Sequence, residues 1–309
     1  MKQPLVSVVI PCYNVAEYVG ATLDSVIAQS YTDWEVIAVN DGSKDHTLDV
    51  LRQYESAHPQ RIRVLDVPNG GACTARNLGL SHSQGTYLQF LDADDVLVVD
   101  KWHRQIDLLE RDDLAWVVGD YDLYDHSLEE WQEKVSLAGI EDAPLETAIV
   151  SIINTTNPLY RLSTVRQVGG YRPEWPSAQD YDFNLRVMLT GARVGYLAGS
   201  TFMKRAVPGS ISSDWVKVSR VTCQVIESLK TDLVQDDRLT PRARRHLANL
   251  YYNTAIHAPA SRTQLQHDLE EIAFWSEGEP FLASSMKRWI AQLAGLRTLI
   301  TLDRLRFAS

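Results

Sequence analysis

The chain has 309 residues, 45% of them hydrophobic and 23% charged, which is ordinary globular composition and excludes a disordered polymer. Lys plus Arg is 30 against 40 Asp plus Glu, a formal net charge of −10, which argues against a general nucleic-acid binder, since that needs a basic surface. A local anion site stays open, because a bound metal and a few arginines can invert the field around them. Cys12, Cys73 and Cys223 are odd in number and far apart, with no Cys-x-x-Cys. They suggest neither a disulfide framework nor a structural zinc. Leu5 to Ile10 is too short for the apolar region of a signal peptide, and no run reaches the roughly 18 apolar residues of a spanning helix. The expectation is a cytoplasmic protein, at most peripheral at the inner face of a membrane.

The first hundred residues alternate strand and helix patterns. Val6-Ser-Val-Val-Ile10 is β-branched and stopped by Pro11, as a buried strand would be. Apolar Val19, Leu23, Val26 and Ile27 share one face of a helix over 16–29. A second strand covers Trp34 to Val39, and Asp45 is placed to cap a helix through Tyr54. A third strand, Arg61 to Val67, precedes a helix from Ala72 to Ser81, and a fourth runs from Thr86 to Leu91. A helix over 101–110 and a strand over 115–123 follow. The polar, acidic stretch 129–143 reads as a loop or a short helix, and 179–189 as a helix with Phe183, Val187 and Met188 in the core. Beyond about residue 212 strand signals vanish, and 216–234, 241–256, 265–275 and 281–306 read as helices. The expected organisation is an α/β domain over 1–212 and a helical region over 213–309.

Strand-helix alternation of this length implies right-handed βαβ units and a doubly wound sheet. In a 3-2-1-4 strand order the first and fourth strands are neighbours at the switch point, where open α/β sheets bind ligands. That order sets Pro11-Cys-Tyr-Asn14 beside Asp92-Ala-Asp94, with Asp41 one strand away. Carboxylates crowded into one cleft repel unless a cation or a donor joins them.

Tyr13 can offer a nucleotide base an aromatic face, Asp41 can accept from a base or ribose donor, and Arg76 can present its guanidinium to a carbonyl or phosphate. The plainer alternative leaves Asp41 stabilising its own Asn40-Asp-Gly42 turn and Arg76 in a surface pair. Neither a Gly-x-x-x-x-Gly-Lys nor a Gly-x-Gly-x-x-Gly after the first strand occurs, which removes the main support for P-loop and dinucleotide readings. Asp92-Ala-Asp-Asp95 follows an apolar strand and offers oxygen-only ligands of the kind Mg²⁺ or Mn²⁺ takes. Asp180 and Asp182 lie about 200° apart on a helix, so they cannot both face one cleft, and geometry alone does not choose between them.

Val6-Ser-Val-Val-Ile-Pro-Cys-Tyr-Asn14, Val39-Asn-Asp-Gly-Ser-Lys-Asp45, Gly70-Gly-Ala-Cys-Thr-Ala-Arg-Asn77 and Leu91-Asp-Ala-Asp-Asp95 closely resemble the successive motifs of family 2 glycosyltransferases of the GT-A fold. The resemblance runs from the first strand to about residue 212. It implies a Rossmann-like, mostly parallel sheet and a metal-dependent, inverting transfer of a sugar from a nucleotide diphosphate, UDP being the family expectation. The acceptor would be a hydroxyl of a glycan or of a lipid-linked saccharide. Carried over by position, Pro11 and Tyr13 would flank the base, Asp41 would hydrogen-bond it and Arg76 would lie nearby. Asp92 would contact ribose or metal, and Asp94 would bind the Mg²⁺ or Mn²⁺ at the diphosphate. The family's Glu-Asp pair appears here as Gln179-Asp180, which makes Asp180 the base and Asp182 structural. The late segment Lys204-Arg-Ala-Val-Pro-Gly-Ser-Ile-Ser212 lacks the family's frequent His; Lys204 or Arg205 could meet the diphosphate instead, the alternative being an ordinary surface role.

Phe281 to Ser309 holds Lys287, Arg288, Arg297, Arg304 and Arg306 against Asp303, among apolar Trp289, Ile290, Leu293, Leu296, Leu299, Ile300 and Leu305. A basic amphipathic helix of this kind can lie on an anionic membrane; packing on its own domain or in a homo-oligomer is the alternative. Two rival functions are compatible with this fold. A non-catalytic nucleotide-sugar binding module has no need of a base such as Asp180. A sugar-1-phosphate nucleotidyltransferase usually carries a Gly-rich loop after its first strand, where this chain has Pro11-Cys-Tyr-Asn14.

Overall fold

The computed structural model describes residues 5–207, 214–258 and 261–276. The chain divides into two compact units, Met1–Glu174 with Asp182–Ser210, and Trp175–Tyr181 with Ile211–Ser309.

The first unit holds β1 (Val6–Cys12), α1 (Val19–Ile27), β2 (Trp34–Asp41), α2 (Thr47–Ala57), β3 (Ile62–Val67), α3 (Ala72–His82), β4 (Tyr87–Phe90), β5 (Val96–Leu97), α4 (Lys101–Arg111), β6 (Trp116–Tyr124), β7 (Trp131–Val135), α5 (Pro144–Val150), β8 (Leu159–Arg161), α6 (Leu162–Val168), most of α7 (Gln179–Leu189) and β9 (Val194–Arg205). One sheet runs β3-β2-β1-β4-β8-β6-β9-β5, with β7 on the outside of β6. Pairing is parallel across β3-β2-β1-β4 and between β6 and β9; β8 is antiparallel to both of its neighbours. The 3-2-1-4 order expected from the sequence is therefore present. A doubly wound half is joined through β8 to a mixed half.

Burial explains the strand signals. Val6, Val8, Val9 and Ile10 of β1 are completely shut from solvent, as a central parallel strand covered on both faces must be. Val8 and Ile10 join Leu23 and Val26 of α1, Leu51 of α2 and Trp102 of α4 in the main core, while Ile37, Val39 and Ala75 form a smaller cluster. On α3, Gly79 is required by close approach: a Cβ there would overlap the Val9 side chain.

The stretch 129–143 departs from expectation. Instead of loop or short helix it contains β7, paired antiparallel with β6. Four of its five residues are exposed, so the inward–outward alternation that reveals a strand is missing. The hairpin is closed by Asp125, whose carboxylate accepts from the amides of Glu129 and Glu130. The helix α1 is shorter than 16–29, and the N-cap of α2 is His46 rather than Asp45. Asp45 still serves that helix end, accepting from Thr47 N at 3.0 Å and from Ala16 N at 3.1 Å.

In the second unit α8 (Trp215–Ser228), α9 (Lys230–Gln235), α10 (Pro241–His257) and α11 (Arg262–Ser276) follow one another. Thr240 caps α10 by accepting from Ala243 N, and Pro241 occupies the first turn, where its missing N–H costs nothing. Val225, Ile226, Leu233, Leu247, Ala248, Ile272 and Trp275 are buried. Asp268 of α11 is completely enclosed and pairs with Arg220 of α8 at 2.7 Å. Residues 281–306, read from the sequence as a basic amphipathic helix, lie outside the described residues. Among the described residues no helix is long and apolar enough to cross a membrane.

Candidate active site

The C-terminal ends of β1, β2 and β4 lie side by side, because β1 pairs in parallel with both others. Each ends in a segment singled out above. After β1 the chain turns sharply at Asn14, whose φ is +52° and whose side chain accepts from Lys44 N at 2.8 Å. Asn14 N in turn donates to Ser43 Oγ at 3.1 Å, so the loops after β1 and β2 brace each other. Tyr13, at the crest of this turn, is 46% exposed and is among the few large side chains left open to solvent. Pro11 lies two residues before it, within β1.

Asp41 ends β2 and is buried, yet it does not serve its own turn. Its Oδ1 accepts from Gly70 N at 2.6 Å, and its Oδ2 accepts from Gly71 N at 2.9 Å and from Asn69 Nδ2 at 3.3 Å. The carboxylate thus ties the loop before α3 to the end of β2. A carboxylate has about four acceptor sites, so one position on Oδ1 remains for a further donor. Gly71 supplies the φ of +87° needed where this loop enters α3.

From α3, Arg76 reaches across to Asp92, Nη2 to Oδ1 at 2.9 Å. Its guanidinium lies 5.0 Å from the ring centroid of Tyr171, which stacks on Phe183 at 4.5 Å. Asn77, one residue on, accepts from Tyr171 N at 2.8 Å and donates to Tyr171 O at 2.7 Å, fixing that aromatic wall. The surface pair considered for Arg76 is therefore a largely buried one, made to the carboxylate at the end of β4.

Asp92-Ala-Asp-Asp95 forms the connection from β4 to β5. Burial holds the Asp94 carboxyl above the ordinary carboxylate range, and the negative charge of Asp92 pushes the same way. Asp95 is completely buried, and desolvation raises it to about 7 against the opposing pull of Lys204. Its oxygens accept from Thr156 Oγ1 at 2.6 Å and from Arg205 N at 3.2 Å. Arg205 is turned inward: its Nε donates to Asp94 O at 3.0 Å, its Nη1 to His126 O, and its guanidinium covers the Tyr18 ring. It serves the acidic loop rather than standing ready for a diphosphate.

Among the described residues no three or more Asp, Glu, His or Cys side chains gather around a metal-sized position. What the loop offers is two carboxylates, Asp92 and Asp94, whose charges act on each other. That fits an ion such as Mg²⁺ or Mn²⁺, which binds through one or two carboxylates and completes its shell with water and phosphate oxygens.

Asp180 stands in the first turn of α7, after Ala178 at a φ of +54°, and is partly exposed. It belongs to the segment Trp175–Tyr181 that groups with the helical unit. Asp182 is completely buried and bound by Arg186 at 2.7 Å and Arg172 at 3.3 Å, which makes it a structural anchor. Sequence reasoning missed Thr22, Thr156 and the inward role of Arg205. Asn154-Thr-Thr-Asn157 looks like a polar loop, and nothing in its composition signals that Thr155, Thr156 and Asn157 are buried.

Comparison with known proteins identifies the family and the fold. The chain is 42% identical over 122 residues to the glycosyltransferase TuaG of Bacillus subtilis (strain 168), named for teichuronic acid biosynthesis, covering 39% of this chain and 48% of that protein. It is 43% identical over 99 residues to the hyaluronan synthase of Pasteurella multocida, 32% of this chain and 10% of that one. The chain spans less than half the length of these relatives. The crystal structure of S. aureus TarS 1-349 in complex with UDP-GlcNAc superimposes with a TM-score of 0.72 at 16% identity, over 99% of this chain and 92% of that one. The mannosyltransferase PcManGT of Pyrobaculum calidifontis, in complex with GDP-Man and Mn²⁺, does so with 0.65 at 16% identity, over 99% and 88%. At such identity these two show the fold, the GT-A architecture the motifs implied. Residues 7–169, just over half of the chain, match Glycosyl transferase family 2, and the chain belongs to that family.

Proposed function

We propose that the protein transfers a sugar from a nucleotide diphosphate donor, a UDP-sugar in the first instance, to a hydroxyl of a glycan or lipid-linked acceptor, with inversion at the anomeric carbon. The observation that carries this reading is the meeting, at the ends of β1 and β4, of an exposed aromatic ring and a pair of interacting carboxylates. Tyr13 supplies the stacking face for the base, with Pro11 on its flank. Asp41 uses its remaining acceptor position for a base donor, held in place by Gly70 and Gly71. Arg76 and Asp92 orient each other at the ribose end, and Asp92 with Asp94 would hold Mg²⁺ or Mn²⁺. When bound, that ion offsets the negative charge that develops on the departing diphosphate.

Asp180 is the base. Its carboxylate takes the proton of the acceptor hydroxyl while that oxygen bonds to the anomeric carbon from the face opposite the diphosphate. The bond from carbon to phosphate oxygen breaks in the same step, and the nucleotide diphosphate leaves with the electron pair. Support comes from the match to the family's acidic pair and from the contrast with Asp182, whose two arginine partners leave it no such task. The relatives named for teichuronic acid and hyaluronan point the acceptor toward a polysaccharide.

Asp180→Asn, nearly isosteric but unable to take the proton, should lose transfer while keeping donor affinity, read by nucleotide-diphosphate release and by calorimetry with UDP-, GDP- and dTDP-sugars. Near-normal turnover in that variant removes Asp180 as the base. Full binding in the wild-type protein, with neither transfer nor slow donor hydrolysis, favours the non-catalytic binding module.

A further inference from the structure

We propose that Thr156 is a positioning residue for the metal-dependent step of donor binding, with Arg205 as its counterpart on the other side of the acidic loop. This rests on Asp92 and Asp94 being the metal end of the site.

The connection Asp92–Asp95 makes one turn bond of its own, Asp95 N to Asp92 O at 3.2 Å. The groups around it do the rest. Thr22 of α1 donates to Ala93 O at 2.9 Å and to Asp95 O at 2.8 Å. Thr156 Oγ1 accepts from Asp92 N at 3.2 Å and donates to Asp95 Oδ2 at 2.6 Å. Arg205 N donates to Asp95 Oδ1, and Arg205 Nε to Asp94 O. Asp95 is therefore a hub, linked through Thr156 to the backbone of Asp92 and through Arg205 to that of Asp94.

A hydroxyl has one proton and two lone pairs, so it can serve an amide donor and a carboxylate acceptor at once. Valine, of the same shape, can do neither. Thr156 and Asp95 are both completely buried, so water has no route to replace the lost bonds. Thr156 is itself held by the core. Gln89 Nε2 donates to Thr156 O at 2.9 Å, and Asn157 exchanges bonds with both backbone groups of Gly119 at 2.9 and 2.7 Å. Lys101 Nζ donates to Asn157 O at 2.7 Å. The backbone from which Asp92 and Asp94 project is thereby tied to β4, β6 and α4 before any ion arrives. Thr156 is aimed at the loop's backbone and at Asp95, so its effect on an ion is transmitted rather than direct.

The experiment is calorimetry of UDP binding at graded Mn²⁺, with GDP in its place should the wild-type protein prefer it, alongside thermal unfolding. Thr156→Val should weaken the Mn²⁺-dependent part of binding by about 10–100-fold, the usual effect of losing a partner behind a metal ligand. Metal-free nucleotide binding should be unchanged, and Thr156→Ser, which keeps the hydroxyl, should restore the Mn²⁺ response. A merely structural threonine would lower the unfolding temperature and leave the Mn²⁺ response of the folded protein intact, and that result overturns the proposal. If Thr156→Val does not fold, Arg205→Lys reports instead: it keeps the charge and the backbone bond to Asp95 but loses the directed Nε–H to Asp94 O, together with the Nη1 bond to His126 O. An undiminished Mn²⁺ response there overturns the proposal equally. Asp94→Ala separates the two levels. If it retains Mn²⁺-dependent binding, the metal reading itself fails; if it loses it while Thr156→Val does not, only the positioning role fails.

Discussion

Tyr13 and Asp41 sit at adjacent strand ends, yet the protein treats them in opposite ways. Tyr13 stays open because Asn14 takes a left-handed turn directly after β1. Asp41 is closed in because two consecutive glycine amides converge on its oxygens. If the open ring stacks on the base, Tyr13→Ala should cost about 1–3 kcal/mol of donor binding, the range for base–aromatic stacking. Tyr13→Phe should cost almost nothing, since the face rather than the hydroxyl is used. Calorimetry on the two variants checks this, and equal losses would point to the hydroxyl instead.

At the scale of elements, α3 is the part on which the site depends most. Its N-terminal loop holds Asp41, its second turn carries Arg76, and Asn77 fixes Tyr171. The helix can sit this close to β1 only because Gly79 has no side chain. Gly79→Ala sets two effects against each other. Helix propensity gains about 1 kcal/mol, while overpacking a buried site costs about 1–3 kcal/mol. Val9 is completely buried and cannot swing away, so the loss should win. Thermal unfolding should show Gly79→Ala destabilised and donor affinity reduced with it. Adding Val9→Ala should recover part of the loss, because two residues competing for one space are not additive.

At the scale of the whole molecule, both units enclose charge within an apolar core: Asp182 with Arg186 at 2.7 Å in the sheet unit, and Asp268 with Arg220, and Glu271 with Lys230 at 2.6 Å, in the helical unit. Removing one partner of a fully buried pair costs about 3–5 kcal/mol. Arg220 retains some exposure, so Asp268→Ala should lose about 2 kcal/mol, nearer the middle of the range between surface and buried pairs. A lowered unfolding temperature with unchanged UDP affinity would place that cost in the helical unit alone, and parallel loss of nucleotide binding would count against it.

Much of the sheet unit was legible in the sequence because it is written locally. A buried parallel strand favours a near-continuous apolar run rich in Val and Ile, and Val6 to Ile10 and Trp34 to Val39 supply one each. The acidic and glycine-rich stretches sit where those runs stop, so Asp41, Asp92 and Asp94 stand out as candidates from the sequence alone. Other features depend on neighbours distant in sequence. β7 is exposed and shows no alternation, β8 is three residues long, and Thr156 meets Asp95 from 61 positions away. Whether Asp41 serves its own turn or the loop at 69–71, and whether Arg205 faces outward or in, was decided by which hydrogen bonds the packed chain could complete. Local propensity and hydrophobic period are properties of a segment, and the sequence determines them by itself. The partner of a buried polar group is a property of the whole packing, and only the tertiary structure decides it.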